Sequence, residues 1–244
     1  MAPDDPLTTR RELLRWLGAA AALGVVPACA PRGASSLRSA ERRLLHATPR
    51  PWPLVTVTPG RSHDRAVLRR RADPAGRLPA AALRLVDAAM RETLTRSGGV
   101  GLAAPQVDLS RRIALVELSR PGRPVLLVVD PRIVWAAAQQ VDGYEGCLSV
   151  PGVGGLVPRS VTVEVTYRDL AGRPQRHHAE GWEARIFQHE LDHLDGVLYL
   201  DRLKGPVLPL DEVRRRRAAG RAALPAPGVW LAAHGGDTGR PVLL

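Results

Sequence analysis

One stretch constrains this chain more than any other: R-I-F-Q-H-E-L-D-H-L-D-G, residues 185–196. On an α-helix, positions i and i+4 share a face, so His189 and His193 can chelate one ion. Glu190 is turned about 100° from His189 and stands at the edge of that face, placed to handle a proton. Phe187, Leu191 and Leu194 form an apolar i, i+4, i+7 row on another side. With two occupied faces the segment has little left for water, so the spacing predicts a buried, central helix. Polar groups buried there need partners, and a metal would supply one. Taken alone, H-E-x-x-H is also met by chance, on an ordinary helix that happens to carry polar residues.

A buried helix requires a core to bury it. The chain has 244 residues, of which 45% are hydrophobic, enough for one domain with extensions. The net charge of +11 raises nucleic acid as a partner, so its distribution matters. Residues 1–51 hold 8 basic and 4 acidic side chains, residues 52–205 hold 21 and 17, and residues 206–244 hold 6 and 3. Most of the excess lies outside the predicted core, and the RRRR run at 214–217 reads as a solvated tail. Arg and aromatic residues do not interleave along the chain and no nucleic-acid motif occurs, so no specific nucleic-acid partner is expected. Two cysteines, Cys29 and Cys147, exclude a disulfide framework.

Residues 1–30 have the layout of an export signal. TTRRELLR carries the paired Arg10-Arg11, WLGAAAALGVV is apolar, and PACA supplies small residues before and after Cys29. The apolar run is too short for a stable membrane anchor. The segment resembles a twin-arginine signal with Cys29 placed as in a lipoprotein, so a membrane partner is expected only through it. Residues 31–53, rich in Arg, Ser and Pro, read as a linker, 54–205 as the catalytic domain, and 206–244 as a mobile Arg/Pro/Gly-rich tail. Within the domain, Leu83, Val86, Met90 and Leu94 predict a helix over 79–99 ended by Gly98-Gly99. IALVEL (113–118), VLLVV (125–129) and VTVEVTY (161–167) predict strands. The class is α+β: short antiparallel strands packed around the central H-E-x-x-H helix.

Two further segments carry chemistry. In GYEGCLSVPG (143–152), Cys147 follows Gly146, where the backbone is free to bring a thiolate against a neighbouring element. Two imidazoles, one thiolate and an open fourth position make a catalytic metal site; a lone Cys is otherwise a small buried hydrophobe. In GVGLAAPQV (99–107), Gly99 and Gly101 flank Val100 and let an extended ligand approach the backbone. Gln106 offers a neutral N–H donor suited to a developing oxyanion.

Together G-V-G-L-A-A-P-Q, E-G-C-L-S and Q-H-E-L-D-H, in this order and spacing over roughly residues 54–203, resemble the three signature motifs of peptide deformylases. The resemblance implies that Cys147, His189 and His193 hold one divalent metal, Fe(II) natively, with Zn(II) or Ni(II) as substitutes. Glu190 would be the general acid/base, and Gln106 with the backbone N–H of Leu148 the oxyanion donors. Gly99, Val100 and Gly101 would align the substrate backbone as an added strand. The implied substrate is an N-formyl-Met peptide or nascent chain, with proximity to the ribosome as a corollary.

The chain departs from the pattern in two places. Many relatives carry a basic residue in the loop after E-G-C-L-S, where this chain has Gly154-Gly155; the sequence leaves open whether Arg159 replaces it, and with it the contacts to the substrate's downstream backbone. An export signal also disagrees with the family's cytoplasmic work on nascent chains. The enzymatic rival is a zinc metallopeptidase with a downstream third ligand among Asp195, Asp201 and Asp211. The rival of another class is an inactive metal-dependent binding protein, which would need neither Glu190 nor Gln106.

Overall fold

The computed structural model describes residues 51–57, 62–76 and 78–219. Helix α1 (Ser62–Arg69) leads to α2 (Ala80–Ser97), and seven strands follow: β1 (Gly101–Ala103), β2 (Ile113–Glu117), β3 (Val125–Ala136), β4 (Gln140–Cys147), β5 (Val150–Ser160), β6 (Thr162–Arg168) and β7 (Pro174–Glu180). The H-E-x-x-H segment is α3 (Gly181–Leu194), and the described chain closes with β8 (Leu208–Pro209) and α4 (Leu210–Ala218). The fold mixes α and β with antiparallel sheets, as expected.

Five strands form one sheet in the order β1-β2-β3-β6-β7, and β4-β5-β8 form a second. All pairings between these strands are antiparallel. Helix α2 lays Leu83, Val86, Met90 and Leu94 on Ile113, Leu115, Leu127 and Val129 of the first sheet. Its end is set by Gly98 at φ 68°, whose N–H returns to the Leu94 carbonyl. Helix α3 lies against the opposite face through Ile186, Phe187, Leu191 and Leu194, in contact with Val116, Val163, Val165 and Ala179. A third cluster joins Cys147, Val150 and Val153 to Leu198, Tyr199 and Leu200.

Two boundaries differ from the sequence expectation. The domain does not begin at 54: Trp52 is buried, and its carbonyl accepts the Thr93 hydroxyl at 3.0 Å. A linker ending at 53 therefore overruns the core. Nor does order stop at 205. β8 pairs Leu208 with Gly154 and Pro209 with Val153, and α4 buries Val213. That helix has one apolar anchor, too few for a visible hydrophobic period. Acidic residues begin it and arginines end it, which suits the helix dipole. Ion pairs Asp211–Arg214, Glu212–Arg215 and Glu212–Arg216 run along it, so the Arg run is a helical face rather than a loose tail. The export segment at 1–30 and the tail from 220 onward lie outside the described residues. Among the described residues no helix is long and apolar enough to cross a membrane.

Candidate metal centre

Sequence positions 147, 189 and 193 meet in space. Cys147 Sγ and ring nitrogens of His189 and His193 all lie within 4.8 Å of one another, and all three side chains are buried. The thiol is delivered by the β4–β5 hairpin, whose register shifts between Gly146 and Cys147 so that Cys147 faces Val150 across the Leu148-Ser149 turn. Both histidines come from α3 one turn apart. Cys147 Sγ stands 3.2 Å from His193 Nε2.

The tautomer of His189 follows from its neighbour. His189 Nδ1 lies 2.9 Å from Glu145 Oε2, and donating that proton leaves Nε2 as a lone pair. Nε2 is buried with no hydrogen-bond partner among the described residues. An unpaired buried nitrogen costs free energy unless something binds it. Tyr199 stacks on the same ring, 6.2 Å between centroids, and donates its hydroxyl to the Val153 carbonyl at 3.2 Å. Burial and the nearby His189 hold His193 well below the usual imidazole range, keeping it neutral. Burial also pushes the Cys147 thiol up, so its thiolate needs a cation beside it. One thiolate with two imidazoles suits Fe(II), Zn(II) or Ni(II) and not a hard, oxygen-seeking ion.

Glu145 was not legible as part of this site. Its carboxylate is fully buried and also accepts Arg159 Nε at 3.0 Å and Arg185 Nη1 at 2.7 Å. Burial alone would raise its pKa, but Arg159 and His189 outweigh burial and hold it well below the carboxylate range. Arg159 therefore does not replace the loop basic residue: it is 4% exposed and binds Glu145 and Asp192. Gly154 and Gly155 have a packing reason instead. A Cβ at Gly154 would press on the Glu145 carbonyl and Val213, and one at Gly155 would overlap Leu203. The signal for the network lay in pairs of residues 33 and 40 apart, which local periodicity does not contain.

Glu190 stands beside the histidines, fully buried, with both carboxylate oxygens lacking hydrogen-bond partners among the described residues. Burial first, and the Glu145 charge second, raise it well above the ordinary value. Its carboxylate occupies the space over Gly101, where a Cβ would overlap it. Gln106 sits in the 3₁₀ turn Ala104–Val107, with Oε1 accepting the Ala103 N–H at 2.8 Å. That bond turns Nε2 toward the site, 3.2 Å from Ser149 Oγ and 3.6 Å from Cys147 Sγ. Leu148 is buried in the turn directly after the thiol. Gly99 and Val100 lead into β1, an edge strand of the five-stranded sheet.

The rival ligands are engaged elsewhere. Asp195 pairs with Arg112, Asp201 with Arg69, and Asp211 with Arg214. None belongs to the cluster of the two histidines.

Fold and site together define a metal-dependent hydrolase in which H-E-x-x-H is completed by an upstream cysteine. The sequence pattern described as polypeptide deformylase matches residues 60–207, and the chain belongs to the peptide deformylase family. It is 42% identical over 155 residues to a peptide deformylase of Roseiflexus sp., covering 58% of this chain and 83% of that one. Peptide deformylase 2 of Nostoc sp. is 43% identical over 129 residues, 49% of this chain and 71% of that one. Among solved structures, a Synechococcus elongatus peptide deformylase in complex with actinonin superposes with a TM-score of 0.58 at 34% identity, covering 78% of this chain and 96% of that one. A Met-Ala-Ser-bound class I type b enzyme of Acinetobacter baumannii gives 0.55 at 35%, covering 62% and 98%.

Proposed function

We propose that the chain hydrolyses the formamide of N-formyl-methionyl peptides at the Cys147–His189–His193 centre, releasing formate and a free methionine N-terminus. The observation that carries this is the meeting of three metal-ligating atoms with an unpartnered, buried carboxylate, Glu190, beside an edge strand.

Cys147, His189 and His193 hold one divalent ion, Fe(II) natively, with Zn(II) or Ni(II) as substitutes. When bound, the metal supplies Lewis-acid polarisation and water activation near neutral pH. Glu190 takes the proton of the attacking water and returns it to the departing amine; its raised pKa keeps it an adequate acid for the second transfer. Gln106 Nε2 and the Leu148 N–H donate to the oxygen on which charge develops, each contributing about 3 kcal/mol. The α3 helix, buried and touching both sheets, acts as the central scaffold of these groups.

The substrate backbone adds to the free edge of β1 along Gly99, Val100 and Gly101. Val100 spends its carbonyl on Glu117 N–H at 2.8 Å, which fixes the strand's inner edge. The Met-Ala-Ser peptide on the Acinetobacter enzyme supports an N-terminal methionine as the product end. Nascent chains near the ribosome are the natural source of such formyl groups. Residues 8–30 direct export, and membrane contact goes through that segment alone.

Anaerobically purified protein is expected to release formate from a formyl-Met peptide in proportion to bound metal. A fully metallated sample that releases none would remove the assignment. For the N-terminus, mass spectrometry of the native protein is expected to find Cys29 first; an intact upstream sequence on cytosolic protein would exclude export.

A further inference from the structure

The five-stranded sheet is covered on both faces along only part of its width. Helix α2 covers the β1, β2 and early β3 region on one face, and α3 covers the other through Val163, Val165 and Ala179. Past Val129, among the described residues, the face turned away from α3 carries no helix. Strand register sets its side chains in rows. Trp135 lies across from Glu164, which lies across from His178; Arg132 lies across from Thr166, which lies across from Arg176. Arg168, two residues after Thr166, belongs to the same face. With Arg112 and Asp130 these arginines surround a groove of about 600 Å3.

Internal pairing leaves a surplus of positive charge. Arg176 donates to Glu164 at 2.7 Å and Arg112 to Asp195 at 2.6 Å. Arg132 and Arg168 have no ion-pair partner among the described residues. Trp135 sits at the end of the same face, 51% exposed. Surface arginines are most often solvated and nothing more. Here they line a recess beside an open indole on an antiparallel sheet. That combination suits single-stranded nucleic acid, where bases stack on aromatic faces and phosphates pair with Arg. A lipid surface would require the apolar residues to project beyond the cations, whereas here Arg112, Arg132, Arg168 and Arg176 line one recess and the indole stands in the next row of the sheet.

We infer that this half-sheet binds single-stranded RNA without sequence preference, one base stacking on Trp135 and phosphates pairing with Arg132 and Arg168. The strand pairing creates the site: β3–β6 register sets Trp135 opposite Glu164 and Arg132 opposite Thr166, in adjacent rows of the face that also carries Arg168.

The test uses the full chain and a labelled unstructured RNA of about 12 nucleotides, read by fluorescence anisotropy. Binding is expected to weaken with salt, by about 0.7 in log–log slope per phosphate contact. Arg132→Gln with Arg168→Gln should lower the slope by about 1.4. Trp135→Ala should weaken binding about five- to hundred-fold, and Trp135→Phe should restore part of it. Formate release from a formyl-Met peptide should be unchanged in all three, since none touches the metal centre. Arg214→Gln with Arg215→Gln should leave RNA affinity within about two-fold, because those residues lie on α4. Absent binding, or binding insensitive to the Trp135 and Arg132/Arg168 changes, overturns the inference. So does flotation with anionic vesicles that depends on Trp135 while RNA is not bound, which would make this face a membrane surface.

Discussion

His189 Nδ1 and Glu145 Oε2 lie 2.9 Å apart with both side chains buried, so one carboxylate fixes the tautomer of a metal-binding imidazole. The same carboxylate carries Arg159 and Arg185. Its replacement therefore acts on metal and fold together. Glu145→Gln should weaken metal binding about ten- to hundred-fold, and leaving the buried Arg185 guanidinium without its ion-pair partner, with Arg159 held by Asp192 alone, should cost about 3–5 kcal/mol. Competition with a chelator and a thermal melt read the two effects separately. Unchanged metal affinity would show that Glu145 is structural only.

Removing the thiol tests the ligand count. Cys147→Ala leaves two imidazoles, which hold a divalent ion weakly, so metal analysis should find well below one ion per chain. The apo protein should remain folded, because the change deletes one sulfur from a cluster that retains Val150, Val153 and Tyr199. Full occupancy in this variant would require a different third ligand.

Glu190 can be disabled from two sides. Glu190→Gln should keep metal and lose at least about a hundred- to ten-thousand-fold in turnover, since the amide accepts no proton. Gly101→Ala should act on the same carboxylate sterically, because the added methyl occupies the space Glu190 fills. Misplacement by about 1 Å costs on the order of a hundred-fold. Metal content near wild type with low formate release is the expected result for both; normal activity in Gly101→Ala would mean that Glu190 has room to work elsewhere.

Acid should act twice. Metal binding by Cys147 requires loss of a proton that burial makes hard to remove, so affinity rises with pH and ions dissociate as pH falls. Glu145 is held below its ordinary value when folded. Its stabilising contribution is thus present above the unfolded value of about 4.3 and is lost as pH falls through the folded one. The apo protein's melting temperature should decline below about pH 4, and Glu145→Gln should flatten that decline. An equally steep decline in the variant would assign it to other carboxylates.

The parts legible in the sequence were those written in local periods. His189 and His193 share a helical face, and Leu83, Val86, Met90 and Leu94 lie on one buried stripe, as their spacing required. The β4–β5 hairpin was hidden because its glycines break strand alternation. Gly143 lies against the Arg185 guanidinium and Gly154 under Val213, so small residues there reflect close approach rather than a loop. Glu145 stood in a quoted motif, yet its partners Arg159, Arg185 and His189 are joined to it only by tertiary folding. Helix α4 escaped for the opposite reason: its one buried residue, Val213, makes no pattern.

The hairpin that presents Cys147 belongs to one sheet, while α3, which touches both, packs its apolar face on the other. An ion bound to all three ligands is consequently a rivet through two layers as well as a reagent. At a free concentration a hundred times its dissociation constant it would add about 2.7 kcal/mol to the folded state. Metal supply would then set the stability of the protein together with its rate, and a chain starved of metal or oxidised at sulfur would lose that increment and its activity in the same event.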